Sequence, residues 1–279
     1  MSNVNSTPVI LEDLARRALE GDREALDQLA HALQGDIYGV ALRMLWNRED
    51  AEDATQEILV RIVTRLSQFG FKSRLKTWAY RVAFNYVLDV KKSAMERLNL
   101  GFERFAEDLK HGLQPSSADD LVDSLLIEEV KVGCSLAMLQ CLDRPHRAAY
   151  VLGEIMELSG PEAAEVLAIS PALFRKRLQY AREAVLAFTR SHCGLVSDSA
   201  PCRCHRRVPS APTADSAEAR PVEFARRATS FQEARALVRQ VDEARWAIEV
   251  HRTSQPRASS VDFAQRLLEA IHLSRDSTA

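Results

Sequence analysis

The sequence predicts an all-α protein: two small helical domains joined by a flexible linker and followed by a helical C-terminal extension. Three observations carry this expectation. The 279 residues are 46% hydrophobic and 27% charged, the balance of a soluble globular chain, and they suffice for two or three small cores. Only 10 Gly and 10 Pro are present, too few turn residues for a many-stranded sandwich or barrel. Apolar residues recur at i, i+3, i+4 and i+7 through most of the chain, the spacing of helices with one buried face.

The elements follow in order. Leu11, Leu14, Ala15, Ala18 and Leu19 share a helical face that Gly21 ends. Asp22 caps a second helix, with Ala25, Leu26, Leu29, Ala30 and Leu33 inward, and a third stripe runs through Ile37, Val40, Ala41, Met44 and Leu45. A fourth helix, over about residues 50–67, buries Ala51, Ala54, Ile58, Ile62 and Leu66. A fifth carries Leu75, Trp78, Ala79, Val82, Tyr86 and Val90. Residues 9–95 can therefore close one core. Periodicity fades over residues 96–118, which end in Gln114, Pro115, Ser116 and Ser117, a linker composition.

A second domain, residues 119–192, holds helices over about 119–141, 145–156, 160–167 and 171–190. Residues 193–216 form a Cys-, Pro- and Ser-rich connector. Helical spacing returns in residues 217–279, at Phe231, Ala234, Leu237, Val238 and Val241 and at Phe263, Leu267, Leu268 and Ile271.

The net charge of −2 argues against a protein that coats nucleic acid indiscriminately. No apolar run reaches the ~18–20 residues of a membrane span, and the polar start lacks a signal-peptide pattern. A cytoplasmic location is expected.

Charge is segregated along the chain. In the second domain, Ser159 and Glu162 make a capping box and Ser170 with Pro171 opens another helix after the short turn Leu167, Ala168, Ile169. This is a helix-turn-helix pattern. On its second helix Phe174, Leu178 and Ala181 point inward, leaving Ala172, Leu173, Arg175, Lys176, Arg177 and Gln179 outside. Residues 171–182 include four basic residues, the fourth being Arg182, and no acid. Such a face suits the DNA major groove, where Arg or Lys reads guanine and neutralises phosphate. A solvated basic face on a structural hairpin is the plainer alternative. Ala168 stands where a positive φ is often wanted, which costs roughly 1 kcal/mol without glycine.

In the first domain, residues 48–57 carry five acids, Glu49, Asp50, Glu52, Asp53 and Glu57. Residues 71–97 carry seven basic residues against Asp89 and Glu96, interleaved with Phe71, Trp78, Tyr80, Phe84 and Tyr86. Basic residues follow phosphates, and exposed aromatics offer stacking platforms for unpaired bases. Trp78 and Tyr86 also fit the buried stripe. The acidic helix would repel DNA and so suits a protein partner.

The runs "NREDAEDATQEILVRIVTRLSQF", "FKSRLKTWAYRVAFNYVLDVKK" and "LDRPHRAAYVLGEIMELSGPEAAEVLAISPALFRKRLQYARE" resemble a bacterial RNA polymerase sigma factor, of the extracytoplasmic-function (ECF) subfamily of sigma-70-type factors. The resemblance covers about residues 9–192 and rests on several motifs in order. It implies a region 2 helical bundle over residues 9–95 and a region 4 helix-turn-helix over residues 119–192. It further implies that Asp53, Gln56 and Glu57 dock on the β′ clamp helices of core RNA polymerase, with the β flap as a second polymerase contact. Lys76, Trp78, Arg81, Asn85 and Lys91 would melt and read the minus-ten promoter element. Ala172, Leu173, Arg175, Lys176, Arg177 and Gln179 would read the minus-thirty-five element as duplex. An anti-sigma factor is a further partner of the kind this family has.

Physical scale agrees with that division of labour. A linker of about two dozen residues reaches ~80 Å, against ~55 Å between elements about one and a half duplex turns apart. Stacking of ~1–3 kcal/mol per captured base biases DNA toward the melted state without ATP. The chain departs from the family pattern at Leu173 and Lys176, where small or polar residues are usual, and at Ala168, where Gly is common, so no promoter sequence carries over.

No catalytic constellation is visible, and no enzyme activity or required cofactor is expected. A helix-turn-helix repressor or activator that never joins polymerase is the alternative, and the acidic helix discriminates against it.

The connector places Cys193, Cys202 and Cys204 near His192 and His205. Three thiolates and an imidazole could make a tetrahedral zinc site or a thiolate-rich copper site, and a metal-responsive regulator would then follow. Reduced thiols in a basic segment, with Arg203, Arg206 and Arg207 touching DNA or polymerase, are the competing reading. Some family members carry regulatory C-terminal extensions, and residues 193–279 resemble such a case, expected to fold back on the DNA-binding domains and act in cis.

Overall fold

The computed structural model describes residues 11–90, 97, 100–111, 124–204, 206–207, 248, 251–252 and 258–276. Among them all regular structure is helical, apart from an isolated bridge between Cys193 and Cys202. The chain divides into two compact units, one of residues 1–91, 164–168 and 258–279, the other of residues 92–163 and 169–257.

In the first unit α1 (Leu11–Leu19), α2 (Arg23–Leu45), α3 (Arg48–Thr64) and α4 (Leu75–Asp89) pack together. The second and third stripes read from the sequence are one helix, α2. Leu33, Ile37, Val40 and Met44 continue a single buried face, and Gly35 in mid-helix costs only about 1 kcal/mol where no cap interrupts. Asp22 caps α2, its carboxylate accepting from Ala25 N. Trp46 takes φ 48 to end α2, and Asn47 then caps α3 by accepting from Asp50 N at 2.8 Å. The first turn of α4 is capped from a distance: Leu75 N donates to Glu12 Oε1 of α1 at 2.8 Å, which also sets a carboxylate against the positive helix end.

The second unit contains α5 (Phe102–His111), α6 (Ser124–Gln140), α7 (Arg144–Tyr150), a π-helical segment Val151–Ile155 and α9 (Pro171–His192); the short α8 (Gly160–Val166) precedes α9. Helix α5 corrects the linker expectation for residues 96–118. Phe102, Phe105, Ala106 and Leu109 keep helical spacing, and Phe102 and Phe105 both lie 5.2 Å from the ring of Phe188. Phe174 and Leu178 anchor α9, each worth ~1.5–3 kcal/mol on full burial. They approach Gly153, where a Cβ would stand 2.8 Å from a Leu178 methyl, so the glycine sets how closely α9 seats.

The extension contributes to both units. In the second, His251 is fully buried and bonds Ser135 Oγ through Nδ1 at 2.8 Å, and Arg207 donates to the Asp108 carbonyl and carboxylate. In the first, α10 (Phe263–Asp276) packs on α2 and α3. The extension helix expected around Phe231 lies outside the described residues.

Candidate nucleic-acid interface

The helix-turn-helix forms as its caps direct. Ser159 N and Oγ both donate to Glu162 Oε2, at 3.1 and 2.6 Å, and Ser170 Oγ accepts from Leu173 N at 3.2 Å. Between them Ala168 adopts φ 52, the left-handed turn that a side chain resists by ~1–2 kcal/mol. Alanine there does not distort the turn; it bears the strain.

Helix α9 then sorts its residues by face. Phe174, Leu178 and Ala181 are buried, while Ala172, Leu173, Arg175, Lys176 and Gln179 are exposed and Arg177 is half-buried. The four-base count of the sequence is reduced by one, because Arg182 pairs with the buried carboxylate of Glu154. Glu154 sits in the π-helical segment, and Arg252 from the extension donates to its carbonyl. The outer face of α9 thus presents Arg175, Lys176 and Arg177 around an exposed Leu173.

On α4 the face that carries Trp78, Arg81 and Asn85 is turned to solvent, with Arg81 and Asn85 exposed and Trp78 half-buried against Phe69 at 5.6 Å. Two of the interleaved aromatics are not available for stacking: Tyr80 is 5% exposed and Phe84 is fully buried. Tyr80 donates to Asp36 at 3.1 Å, and burial pushes its phenol far up. Lys76, read as a phosphate contact, pairs with the same Asp36 at 2.6 Å. Lys91 lies outside the described residues. Gly70 and Phe71 both take positive φ, 62 and 54, so the Phe71 ring stands exposed beneath Arg16 at 5.0 Å.

Helix α3 carries the acidic flank. Asp53 is exposed; Glu57 is half-buried and accepts from Arg61 Nε at 2.8 Å; Arg61 in turn lies 4.7 Å over the ring of Tyr86. The Gln56 amide oxygen is sealed from solvent with no hydrogen-bond partner among the described residues.

The connector thiols do converge, and the structure adds a fourth. Cys134 of α6 is pushed up to about 12 by burial, and then by Cys202 and Cys193 nearby. Cys204 is raised well above an ordinary thiol, first by burial and then by Cys193, Cys134 and Cys202. Sequence spacing could not reveal Cys134, about sixty residues upstream on a helix. Among the described residues no group of three or more His, Cys, Asp or Glu is arranged to hold a metal ion, and His205 lies outside them. Arg203 and Arg207 are engaged inside the unit, Arg203 with the Ala200, Cys202 and Asp198 carbonyls and Arg207 with Asp108.

No helix among the described residues is long and apolar enough to cross a membrane. A capped helix-turn-helix with a basic outer face, and a basic and aromatic helix packed beside an acidic one, are features suited to a DNA-binding protein. Residues 29–96 match the family model described as Sigma-70 region 2. The ECF RNA polymerase sigma factor SigW of Bacillus subtilis is 27% identical over 189 residues, spanning 63% of this chain and 95% of that protein. The ECF RNA polymerase sigma factor SigE of Mycolicibacterium smegmatis is 27% identical, spanning 64% and 68%, and the RNA polymerase sigma-H factor of Pseudomonas aeruginosa is 27% identical, spanning 62% and 91%. A solved structure of CnrH in complex with the cytosolic domain of CnrY aligns with TM-score 0.46 and 22% identity over 63% of this chain and 94% of that one. Residues 29–96 are thus similar to sigma-70 region 2, and the relatives with which the chain aligns are sigma factors, several of them of the ECF group.

Proposed function

We propose that the chain acts as an ECF sigma factor: it joins core RNA polymerase through the α3 flank of Asp53, Gln56 and Glu57, reads the melted minus-ten element with the Trp78, Arg81 and Asn85 face of α4, and reads the minus-thirty-five element as duplex with α9. The observation that carries the DNA half is the outer face of α9, where Arg175 and Lys176 stand exposed with no acid while Phe174 and Leu178 fix the helix from below. The names of the relatives, all RNA polymerase sigma factors, support the polymerase half. Residues 9–95 act as region 2 and residues 119–192 as region 4 in this reading.

Transcription from genomic fragments with purified core polymerase tests it. Addition of the chain should produce discrete start sites, and Gln56→Ala with Glu57→Ala should weaken capture of core. Absence of any specific start site would overturn the proposal.

A further inference from the structure

Helix α10 lies on the same helix as the proposed polymerase contact. Its apolar face, Phe263, Ala264 and Leu267, is buried on α2 and α3, with Phe263 stacked on Tyr38 at 5.9 Å. The receiving domain caps it: Gln34 Oε1 accepts from Phe263 N and Ala264 N at 3.0 and 3.2 Å. On the α3 side Ser259 donates to Glu52 at 2.7 Å and Arg48 donates to Ser260 at 3.3 Å. Burial raises the Glu52 carboxyl, but Ser259, Arg48 and Arg266 together hold it below the ordinary range.

Glu52 adjoins Asp53 in sequence and lies one turn from Gln56, so α10 takes the α3 surface that borders the contact residues. The Gln56 amide oxygen meanwhile is sealed from solvent and without a hydrogen-bond partner among the described residues, a cost that a rearrangement of this flank would relieve. The docking itself is of a kind that opens. A 14-residue helix is marginal on its own, and the polar contacts at its edge are exposed or half-exposed and individually weak.

We infer that α10 is an in-cis block seated on the α3 surface bordering the polymerase-binding flank, and that core polymerase engages the flank fully when α10 leaves. The inference rests on the proposed role of Asp53, Gln56 and Glu57. It assigns the extension a specific seat and a specific consequence.

The test uses the full chain. Phe263→Ser with Leu267→Ser removes the apolar anchor, and Gln34→Ala separately removes the cap without touching α3 or α10. Hydrogen exchange over residues 263–271 reports docking, and fluorescence titration reports affinity for core polymerase. If α10 is undocked a tenth to a third of the time, its release should tighten core binding about three- to tenfold, with faster exchange in α10. Should the double variant fail to fold, Gln34→Ala decides alone. Faster exchange with unchanged or weaker core binding overturns the block while leaving the α3 reading intact. Failure of the wild-type chain and every variant to bind core overturns the α3 reading and the block with it.

Discussion

Arg182 of α9 reaches across to Glu154, whose side chain is 3% exposed, and holds that buried carboxylate with a guanidinium that is itself 52% exposed. The pair fastens α9 to the π-helical segment it packs on, so residues 171–182 of that helix use one arginine inward and three basic side chains outward. Removing one partner of a buried pair leaves a charge that water cannot reach, and the exposure of Arg182 lessens that cost. Arg182→Ala should destabilise the second unit by about 2 kcal/mol in urea unfolding. Adding Glu154→Gln should recover most of the loss. An Arg182→Ala chain as stable as wild type would show that Glu154 needs no counter-charge.

Ala168 holds φ 52 in the helix-turn-helix turn, and its exposure means no packing is lost if its methyl is removed. Ala168→Gly relieves the left-handed strain but gives the unfolded chain more freedom, so the net gain should be about 0.5–1 kcal/mol. Thermal denaturation reads it. A lower melting temperature for the glycine variant would mean the positive φ carries no strain here.

Each phosphate contact releases counterions, so log affinity falls with log salt in proportion to their number. Arg175→Ala and Lys176→Ala should each weaken duplex binding and reduce the salt slope by about 1 if the side chain meets phosphate. A base-reading side chain would instead relax sequence preference at one position with little change in slope. Arg182→Ala serves as the control whose slope should stay put, because its guanidinium is committed to Glu154.

All five cysteines are free thiols with raised pKa, first through burial: Cys134 and Cys141 reach about 12 and Cys202 about 11, while Cys193 and Cys204 are also raised. The unfolded chain therefore loses these protons first as pH climbs past the ordinary thiol value of 9.0, and folding stability should fall above that pH. At pH 8 the thiols stay protonated, so an aromatic disulfide reagent should react slowly with native protein and rapidly in denaturant. Native thiols that react as fast as free cysteine would contradict this burial.

The parts legible in the sequence are those that local pattern controls. The caps at Asp22, Ser159 and Ser170, the buried stripe of α9 and the exposed set from Ala172 to Gln179 follow from spacing within a turn or two. Contacts that cross the chain left no such mark. Gln34 capping α10, Glu12 capping α4, Cys134 joining the connector thiols and Arg182 turning inward to Glu154 each depend on a partner between 28 and 230 residues away. Helix α5 was readable, since Phe102, Phe105, Ala106 and Leu109 keep helical spacing, but it is short and its neighbours are polar. Tyr80 and Phe84 illustrate the remaining ambiguity, because aromatic residues on a basic helix can pack or stack, and only the fold assigns the side.

His31 sits at the α10 seat between two carboxylates, Asp27 of its own helix and Asp262 at the start of the extension helix, with Nε2 3.3 Å from Asp262. The hydrogen bond to the Asp27 carbonyl and the two carboxylates raise its pKa, and partial burial opposes them. Docking is therefore strongest when His31 is charged. Only the share owed to Asp262 is linked to docking, since Asp27 lies on the same helix as His31; that share is present while His31 is charged and is lost as pH rises through the raised docked value. Asp262, held low first by the Gln265 amide and also by His31, stays ionised throughout this range. Amide exchange in residues 263–271, corrected for the intrinsic pH dependence, should accelerate between pH 6 and 8, and His31→Gln should flatten the change. Glu52, lowered at the same seat, acts in the opposite direction and at lower pH, with its share of docking lost only as pH falls through its depressed value. Exchange that is flat in the wild type across pH 6 to 8 would remove His31 from the docking equilibrium while leaving the apolar seat of Phe263 and Leu267 in place.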